Sequence, residues 1–457
     1  MPKDPDLGWH LKYGEYFFQN HQILRDNIFS TEMPNFKFVN HSWATDLITY
    51  LVFNWGGFWG LSAFSSLVLT LTFYFFSKTS KLTLLQEVFI FPIVLLLEAA
   101  FLSNSFRSQL LSYLMISIVL YLLSKDDKRH LFFIPLVFFI WANLHGQFIM
   151  GLALFLLWAL FKITLDFLKN KKGFLVIISK TKIYGIVFLA SILLTLINPF
   201  GLDIYIAVFK YSTSSLQPHI QEWSPVEYRS LFWWYLYIWL FVISISSLVL
   251  IYKKKLWENI FYIVVAFLFL LISFKVRRYI WISYFMSIPL IAGMFDLLEK
   301  RLTKFKASMV INVVLIICLL FLVLVKIPDL RKTTMNWDTY CLHTICSPKS
   351  AEFLENYHGQ YTLFSEYNLG GWLIWNYPKI KPLIDGRMTF WEDTFGYSAF
   401  KNYIDIENNV VDIDKTKYDL VYMSPFHPLI YRLIELVKED KWAVIYSDPN
   451  AIIIRRK

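Results

Sequence analysis

"LFWWYLYIWLFVISISSLVLIYKKK", Leu231 to Lys255, runs twenty-two residues without a charge and then stops on three lysines. At 1.5 Å rise per residue such a run, wound as a helix, spans the roughly 30 Å hydrocarbon core of a bilayer. Lysines gathered at one end of an apolar helix mark the cytoplasmic side. The stretch therefore reads as one membrane span with a direction.

Outward from it, further apolar runs lie near 58–77, 84–101, 106–124, 131–143, 147–167, 182–198, 256–274, 279–298 and 307–327. With 231–252 they make ten expected spans, the fourth short and broken from the fifth by Asn143-Leu144-His145-Gly146. The whole chain agrees: 56 % of its 457 residues are hydrophobic and 19 % aromatic, and its mean hydropathy is +0.47. A soluble domain would sit nearer about 45–50 % apolar.

The net charge of +10 would suit a nucleic-acid partner if it formed a patch. Instead it falls in short loops. Alternating spans put Lys78, Lys81, Lys125, Lys128, Arg129, Lys169, Lys171, Lys172, Lys180, Lys182, Lys253, Lys254, Lys255, Lys300, Arg301, Lys304 and Lys306 on one side. The other side receives Arg107, Lys210, Arg229, Lys275, Arg277 and Arg278. Positive-inside makes the first side cytoplasmic, with residues 1–57 and those after about 328 outside. No nucleic-acid partner is expected. An outside opening of 57 residues also calls for a helix ahead of it, so the natural chain is expected to begin with one more span. No phosphate-binding glycine loop ending in Lys-Ser/Thr, no His-Glu-x-x-His and no Gly-x-Ser-x-Gly occurs, which weighs against nucleotide-driven and serine- or zinc-hydrolase chemistry.

The chain thus divides into a first external loop with amphipathic helices (1–57), a transmembrane bundle (58–328) and a small extracytoplasmic α/β domain (329–457). In the last, alternation and turn signals predict helices at 347–357 and 428–438 and a short one to Trp375. Strands are predicted at 361–365, 381–384, 419–423, 442–446 and 451–454. Cys341 and Cys346 flank Leu-His-Thr-Ile and admit three readings: free thiols, a short-loop disulfide, or half a metal site with His343.

With sides assigned, the polar residues near span edges fall on the outer face. Asp4, Asp6, His10, His41 and Asp46 belong to the first segment, and Arg107 opens the third span. Trp141, Asn143 and His145 end the fourth, Glu222 and Trp223 lie in the large outer loop, and Arg277 with Arg278 joins the eighth span to the ninth. A charge at the bilayer centre costs about 3 kcal/mol on insertion scales, so such residues usually face a cavity. Each alone has a plainer account. Arg107 can snorkel, His145 can cap a helix break, and Arg277 and Arg278 can anchor headgroups. Trp9, Trp43 and Trp223 can be interfacial belt residues, and Asp6 an N-cap. Asp6, His10 and Gly14 do share one helical face, at i, i+4 and i+8.

An acid followed after three residues by an aromatic or His, then by small residues, in a first external loop resembles the first-loop motif of the GT-C superfamily. These are polytopic glycosyltransferases that take sugars from polyprenyl phosphates, such as protein O-mannosyltransferases, aminoarabinose transferases and the catalytic subunit of oligosaccharyltransferase. Asp6 matches the position of the family's catalytic aspartate, and His10, Leu11 and Gly14 match the following positions loosely. Over nearly the full chain, "DPDLGWHLKYGEY", "LRDNIFS", "NHSWATDLITY", "FRSQLL", "WANLHGQFIMGL", "INPFGLDIY", "EWSP", "YNLGGWLIW" and "PLIDGR" resemble a poorly characterised bacterial branch. Two departures stand out: the first transmembrane helix is absent, and His10 replaces a more usual aromatic.

The resemblance implies a GT-C-like helical bundle in the bacterial cytoplasmic (inner) membrane and sugar transfer with inversion to an extracytoplasmic lipid, glycan or protein. Such a reaction needs a base, for which Asp6 is the candidate, with Asp4 raising its pKa or helping to hold Mg or Mn. The departing phosphate needs cations, for which Arg277, Arg278 and Arg107 are candidates, with His145 as auxiliary donor. The sugar and acceptor need aromatic faces and polar rims: Trp9, Trp43, Trp223, His10, His41, Glu222, Asp385 and Arg387. The C-terminal domain is expected either to select the acceptor or to act as a lid or docking module. Membrane lipids and the polyprenyl-phosphate sugar are the expected partners. A transporter or flippase of lipid-linked sugars should instead place polar residues at mid-membrane on broken helices. A non-catalytic scaffold gives no reason for the outer-face cluster.

Overall fold

The computed structural model describes residues 4–102, 106–125, 127–169, 174–303, 336–342 and 344–457. The expected tenth span, 307–327, and His343 lie outside the described residues. The chain is mostly helical. It opens with α1 (Leu7–Asn20), α2 (Trp43–Ser80), α3 (Leu84–Leu102), α4 (Ser108–Leu123), α5 (Ile134–Leu144) and α6 (Phe148–Lys169). It continues with α7 (Phe174–Thr195), α8 (Asp203–Thr213), α9 (Leu231–Tyr252), α10 (Leu256–Ser273) and α11 (Ile280–Thr303).

The boundaries follow local chemistry. The Ser230 hydroxyl caps α9 by accepting from the Trp233 N–H, and the chain turns out of the helix at the lysine triplet, with Lys254 at φ 56°. α2 begins well before the expected span at 58–77 and kinks at Gly57, where φ is 55°. Among the described residues four helices, α2, α6, α9 and α10, are long and apolar enough to cross a membrane. α4, with 16 residues, and α5, with 11, fall short of the roughly 20 that crossing needs. Four of the ten expected spans, those at 58–77, 147–167, 231–252 and 256–274, thus have such a helix. The fourth apolar run begins as a 3-10 turn (Lys128–Phe133) and ends at His145, so its helix is cut at both ends.

Past the bundle come α12 (Trp337–Cys341), α13 (Pro348–Glu355), α14 (Gly370–Asn376), α15 (Ala399–Glu407) and α16 (Ile430–Lys438). They surround a four-stranded sheet of β1 (Leu363–Ser365), β2 (Leu420–Met423), β3 (Trp442–Ser447) and β4 (Ile452–Arg456). The order is β1-β2-β4-β3, with β1 parallel to β2 and the other pairs antiparallel. Strand periodicity sorts the core. Phe364, Val421, Met423 and Ile454 face one cluster, while Leu363, Leu420, Tyr422 and Ile453 face another. Both faces are covered, and β2 is buried throughout. The expected strand at 381–384 is not one. Its Pro382 and Leu383 carbonyls accept backbone bonds from Thr31 (2.9 Å) and Glu32 (3.2 Å) of the first segment. Gly370-Gly371 opens α14. Cys341 and Cys346 are joined in a disulfide, Cα to Cα 5.1 Å, which selects one of the three readings.

The face of the sheet carrying Phe364 and Val421 packs on the N-terminal segment: Tyr13, Leu24, Met33 and Phe38 share its cluster with α15 and α16. Helix α1 also crosses α14 so closely that a Cβ on Gly8 would sit 1.8 Å from the Gly371 carbonyl oxygen. Only glycine permits that approach. The first segment, with its helix α1, therefore packs closely against the C-terminal domain.

Candidate functional site

Where these parts meet the N-terminal ends of α4 and α6 and one side of α8 there is a cavity of about 950 Å³. Its walls come from the turn ahead of α1, the stretch 38–42, the α5–α6 break, α8, the 219–223 loop, Arg278, and the C-terminal domain. Of the residues singled out in the sequence, Asp4, Asp6, Trp9, His10, His41, Arg107, His145, Glu222, Trp223, Arg278 and Arg387 line it.

Asp4 is buried and paired. The Arg107 guanidinium grips it with Nε on one oxygen and Nη2 on the other (3.0 Å), while Nη1 bonds Glu222. Burial alone would raise the Asp4 carboxyl, but the Arg107 charge and hydrogen bonds outweigh it and hold Asp4 low. Glu222 is likewise raised by burial and pulled lower overall by Arg107 and Arg278. Asp6, two residues on, has no such cation of its own. Burial first, then the Asp4 charge, pushes it up to about 6. Asp6 stands at the N-cap position of α1, yet its carboxylate makes no capping bond. It lies against Gly386 instead, where a Cβ would come 1.9 Å from Oδ1. Gly386 of the "IDGR" stretch is therefore a glycine because the Asp6 carboxylate occupies the space of a side chain.

The cations separate into three roles. Arg107 is saturated by two carboxylates. Arg277 lies off the cavity wall, spending Nε and Nη2 on the Pro225 carbonyl (3.2 and 2.9 Å). Arg278 bonds Glu222 through Nη1 (3.2 Å) and covers the Trp223 ring at 5.1 Å, while its Nε–H has no partner. Among the described residues it is the one of the three that lines the cavity with a single carboxylate partner.

His145 ends α5 with its ring turned inward. Ser112 Oγ accepts from Trp141 Nε1 (2.9 Å) and lies 2.7 Å from His145 Nδ1. Ser112 is fully buried, so its one proton needs an acceptor, and His145 Nδ1 is the one in reach. The proton of His145 then sits on Nε2. Burial, then His41 and Arg278, keep this ring neutral, well below the usual histidine value. His41, 5.8 Å away ring to ring, is lowered to about 4 by burial and then by Arg278 and His10.

The expected sugar-facing aromatics fare unevenly. Trp9 is buried and stacks on His10 at 3.6 Å. Trp223 gives one face to Arg278. Trp43 lies off the cavity and donates to Asn143 Oδ1 at 3.1 Å. Asp385 is buried and forms a bidentate pair with Arg387, 2.7 Å on each arm. Ser30 also donates to Asp385, and Arg387 donates to Asn27 Oδ1 (3.1 Å), so the pair bolts the first segment to the C-terminal domain. Among the described residues no group of three or more His, Cys, Asp or Glu is arranged to hold a metal ion, and Asp4, proposed for one, is spent on Arg107.

The sequence reading missed one wall. Glu366, Tyr403, Glu407 and His427 of the C-terminal domain also line the cavity. His427 Nδ1 accepts from the Leu429 N–H (3.3 Å), leaving Nε2 to meet Tyr403 (2.9 Å) and Glu407 (3.0 Å). Only "YNLGGW", which begins one residue after Glu366, signalled this region.

No protein-family model matches the chain, and a search of curated proteins found no match.

Proposed function

We propose that this chain is a membrane glycosyltransferase that moves a sugar from a polyprenyl phosphate to an extracytoplasmic acceptor. One observation carries the reading. A carboxylate with a raised pKa, Asp6, shares a single cavity with Arg278 and His145, beside helices apolar enough for a bilayer. Asp6 takes the proton from the acceptor hydroxyl or amine as it attacks C1 of the sugar. Arg278 and His145 Nε2–H stabilise the charge that gathers on the departing phosphate. Arg107 touches neither reactant. It neutralises Asp4 and Glu222, so that Asp6 is the carboxylate whose proton moves.

The test is transfer itself. Vesicles carrying the full chain, given a radiolabelled polyprenyl-phosphate sugar, should move label into a lipid, glycan or protein fraction. Arg278→Ala should weaken donor binding and turnover together, whereas Arg277→Ala should leave both near wild type. No transfer from any such donor would end this reading.

The membrane disposition is equally testable. Lys128 and Lys415 are both exposed, and they are expected on opposite sides of the bilayer. Single cysteines there, labelled with an impermeant maleimide in intact cells, should react only at position 415. Labelling of both from outside would overturn the topology.

A further inference from the structure

Asp6 and His10 stand one turn apart at the start of α1, and both reach the cavity. His10 is held from behind. Its Nδ1 lies 2.6 Å from Asp46 Oδ1, and the other Asp46 oxygen accepts from Asn40 Nδ2, also at 2.6 Å. Asp46 is fully buried with both oxygens engaged, so it stays fixed behind the ring. Trp9 stacks on the imidazole from the side. Nδ1 therefore carries the proton shared with Asp46, and Nε2 has no hydrogen-bond partner among the described residues. A phenyl ring at position 10 would stack on Trp9 as well, but it would strand the buried Asp46 charge. The pairing has a use that packing does not explain.

We propose that His10 is the general acid of this site, its Nε2–H protonating the phosphate oxygen that leaves the sugar, with Asp46 as its positioning residue. The proposal rests on the transferase reading above. In the step, the acceptor O–H (or N–H) breaks as Asp6 takes the proton, and the acceptor atom bonds to C1. The C1–O bond to phosphate breaks with its electron pair going to oxygen, and that oxygen takes the His10 Nε2 proton. Asp6 then returns its proton to His10 one helical turn away, so the cycle closes without another reagent.

The surroundings fit an imidazolium. Asp46 with Asn40 faces His10 from behind, Asp4 and Asp6 face it from the turn ahead of α1 with Arg107 beyond Asp4, and His41 lies toward Arg278. Burial works against the charged ring, and the Asp46 carboxylate outweighs it, with smaller help from Asp6 and Asp4, so the His10 pKa is raised. His41, His10 and Arg278 all line the cavity.

The experiment uses the full chain in liposomes, with transfer measured against pH. An acid must be protonated, so wild type should lose activity on an alkaline limb. His10→Gln should cut turnover about 10²-fold or more and abolish that limb, and Asp46→Asn should move it to lower pH, since the raising charge is gone. A wild-type profile in either variant, or no alkaline limb in wild type, overturns the proposal. A second readout needs no transfer: NMR of ring-labelled histidine, with His10 assigned by the signal missing in His10→Gln. That signal should titrate at lower pH in Asp46→Asn and should shift on addition of farnesyl phosphate. A His10 signal indifferent to both also overturns it. If wild type transfers nothing yet farnesyl phosphate moves the signal, the transferase reading fails while the phosphate contact of His10 stands.

Discussion

Asp6→Asn is expected to reduce sugar transfer by about 10²–10⁴-fold, the usual loss on removing a general base, while the protein folds and binds its lipid donor. The amide keeps the shape of the carboxylate against Gly386 but cannot take a proton. Had Asp6 been a helix cap, Asn would serve about equally well. It makes no such bond, so the two accounts part cleanly. A pH profile adds a second check. The base must be ionised, and its carboxyl is raised to about 6 by burial and by Asp4. Transfer should therefore fall as pH drops through about 6, and a wild-type rate that is flat from pH 7 to 5 would contradict the assignment. Wild-type-like transfer by Asp6→Asn would end it.

Arg107→Met is expected to produce the largest loss of stability among the site variants. The substitution leaves Asp4, 2 % exposed, and Glu222, 20 % exposed, facing one another without their shared cation. Breaking a buried pair in this way costs about 3–5 kcal/mol, and the partial exposure of Glu222 and Arg107 argues for the lower end. The thermal midpoint in detergent should fall, and most of the loss should return when Asp4→Asn and Glu222→Gln are added. An Arg107→Met protein that melts like wild type would mean that solvent already screens the cluster. Because Arg107 also keeps Asp4 ionised, the single variant should disturb the pH profile as well, by letting Asp4 compete with Asp6 for a proton.

Much of the helical layout was legible because apolar runs and lysine clusters are local features. The C-terminal strands showed for the same reason: alternation over four to six residues is visible without neighbours. The segment 381–384 reads as a strand by that rule and fails it, since its partners are Thr31 and Glu32, some 350 positions away. The site was half legible. Asp4, Asp6, His10, Arg107, His145 and Glu222 could be gathered by the one side to which the positive-inside rule assigns them. Their division of labour could not. Arg107, Arg277 and Arg278 are alike as letters, and only their contacts separate the one held by two carboxylates, the one off the cavity and the one that lines it with a single carboxylate partner.

The sequence by itself therefore determined the class of structure, an apolar helical chain with a small C-terminal sheet, and gathered its polar residues toward one end. Hydropathy and period are written in consecutive residues, and the solvent reads them locally. Only the tertiary structure decided that the first forty residues complete the core of the C-terminal domain. It alone set the Asp6 carboxylate on Gly386, and it alone gave His10 the buried Asp46 for a partner. Those facts depend on which distant groups are packed into contact and shielded from water. Contact and burial, more than residue type, fix which carboxylate holds a proton and which cation is free to meet a phosphate.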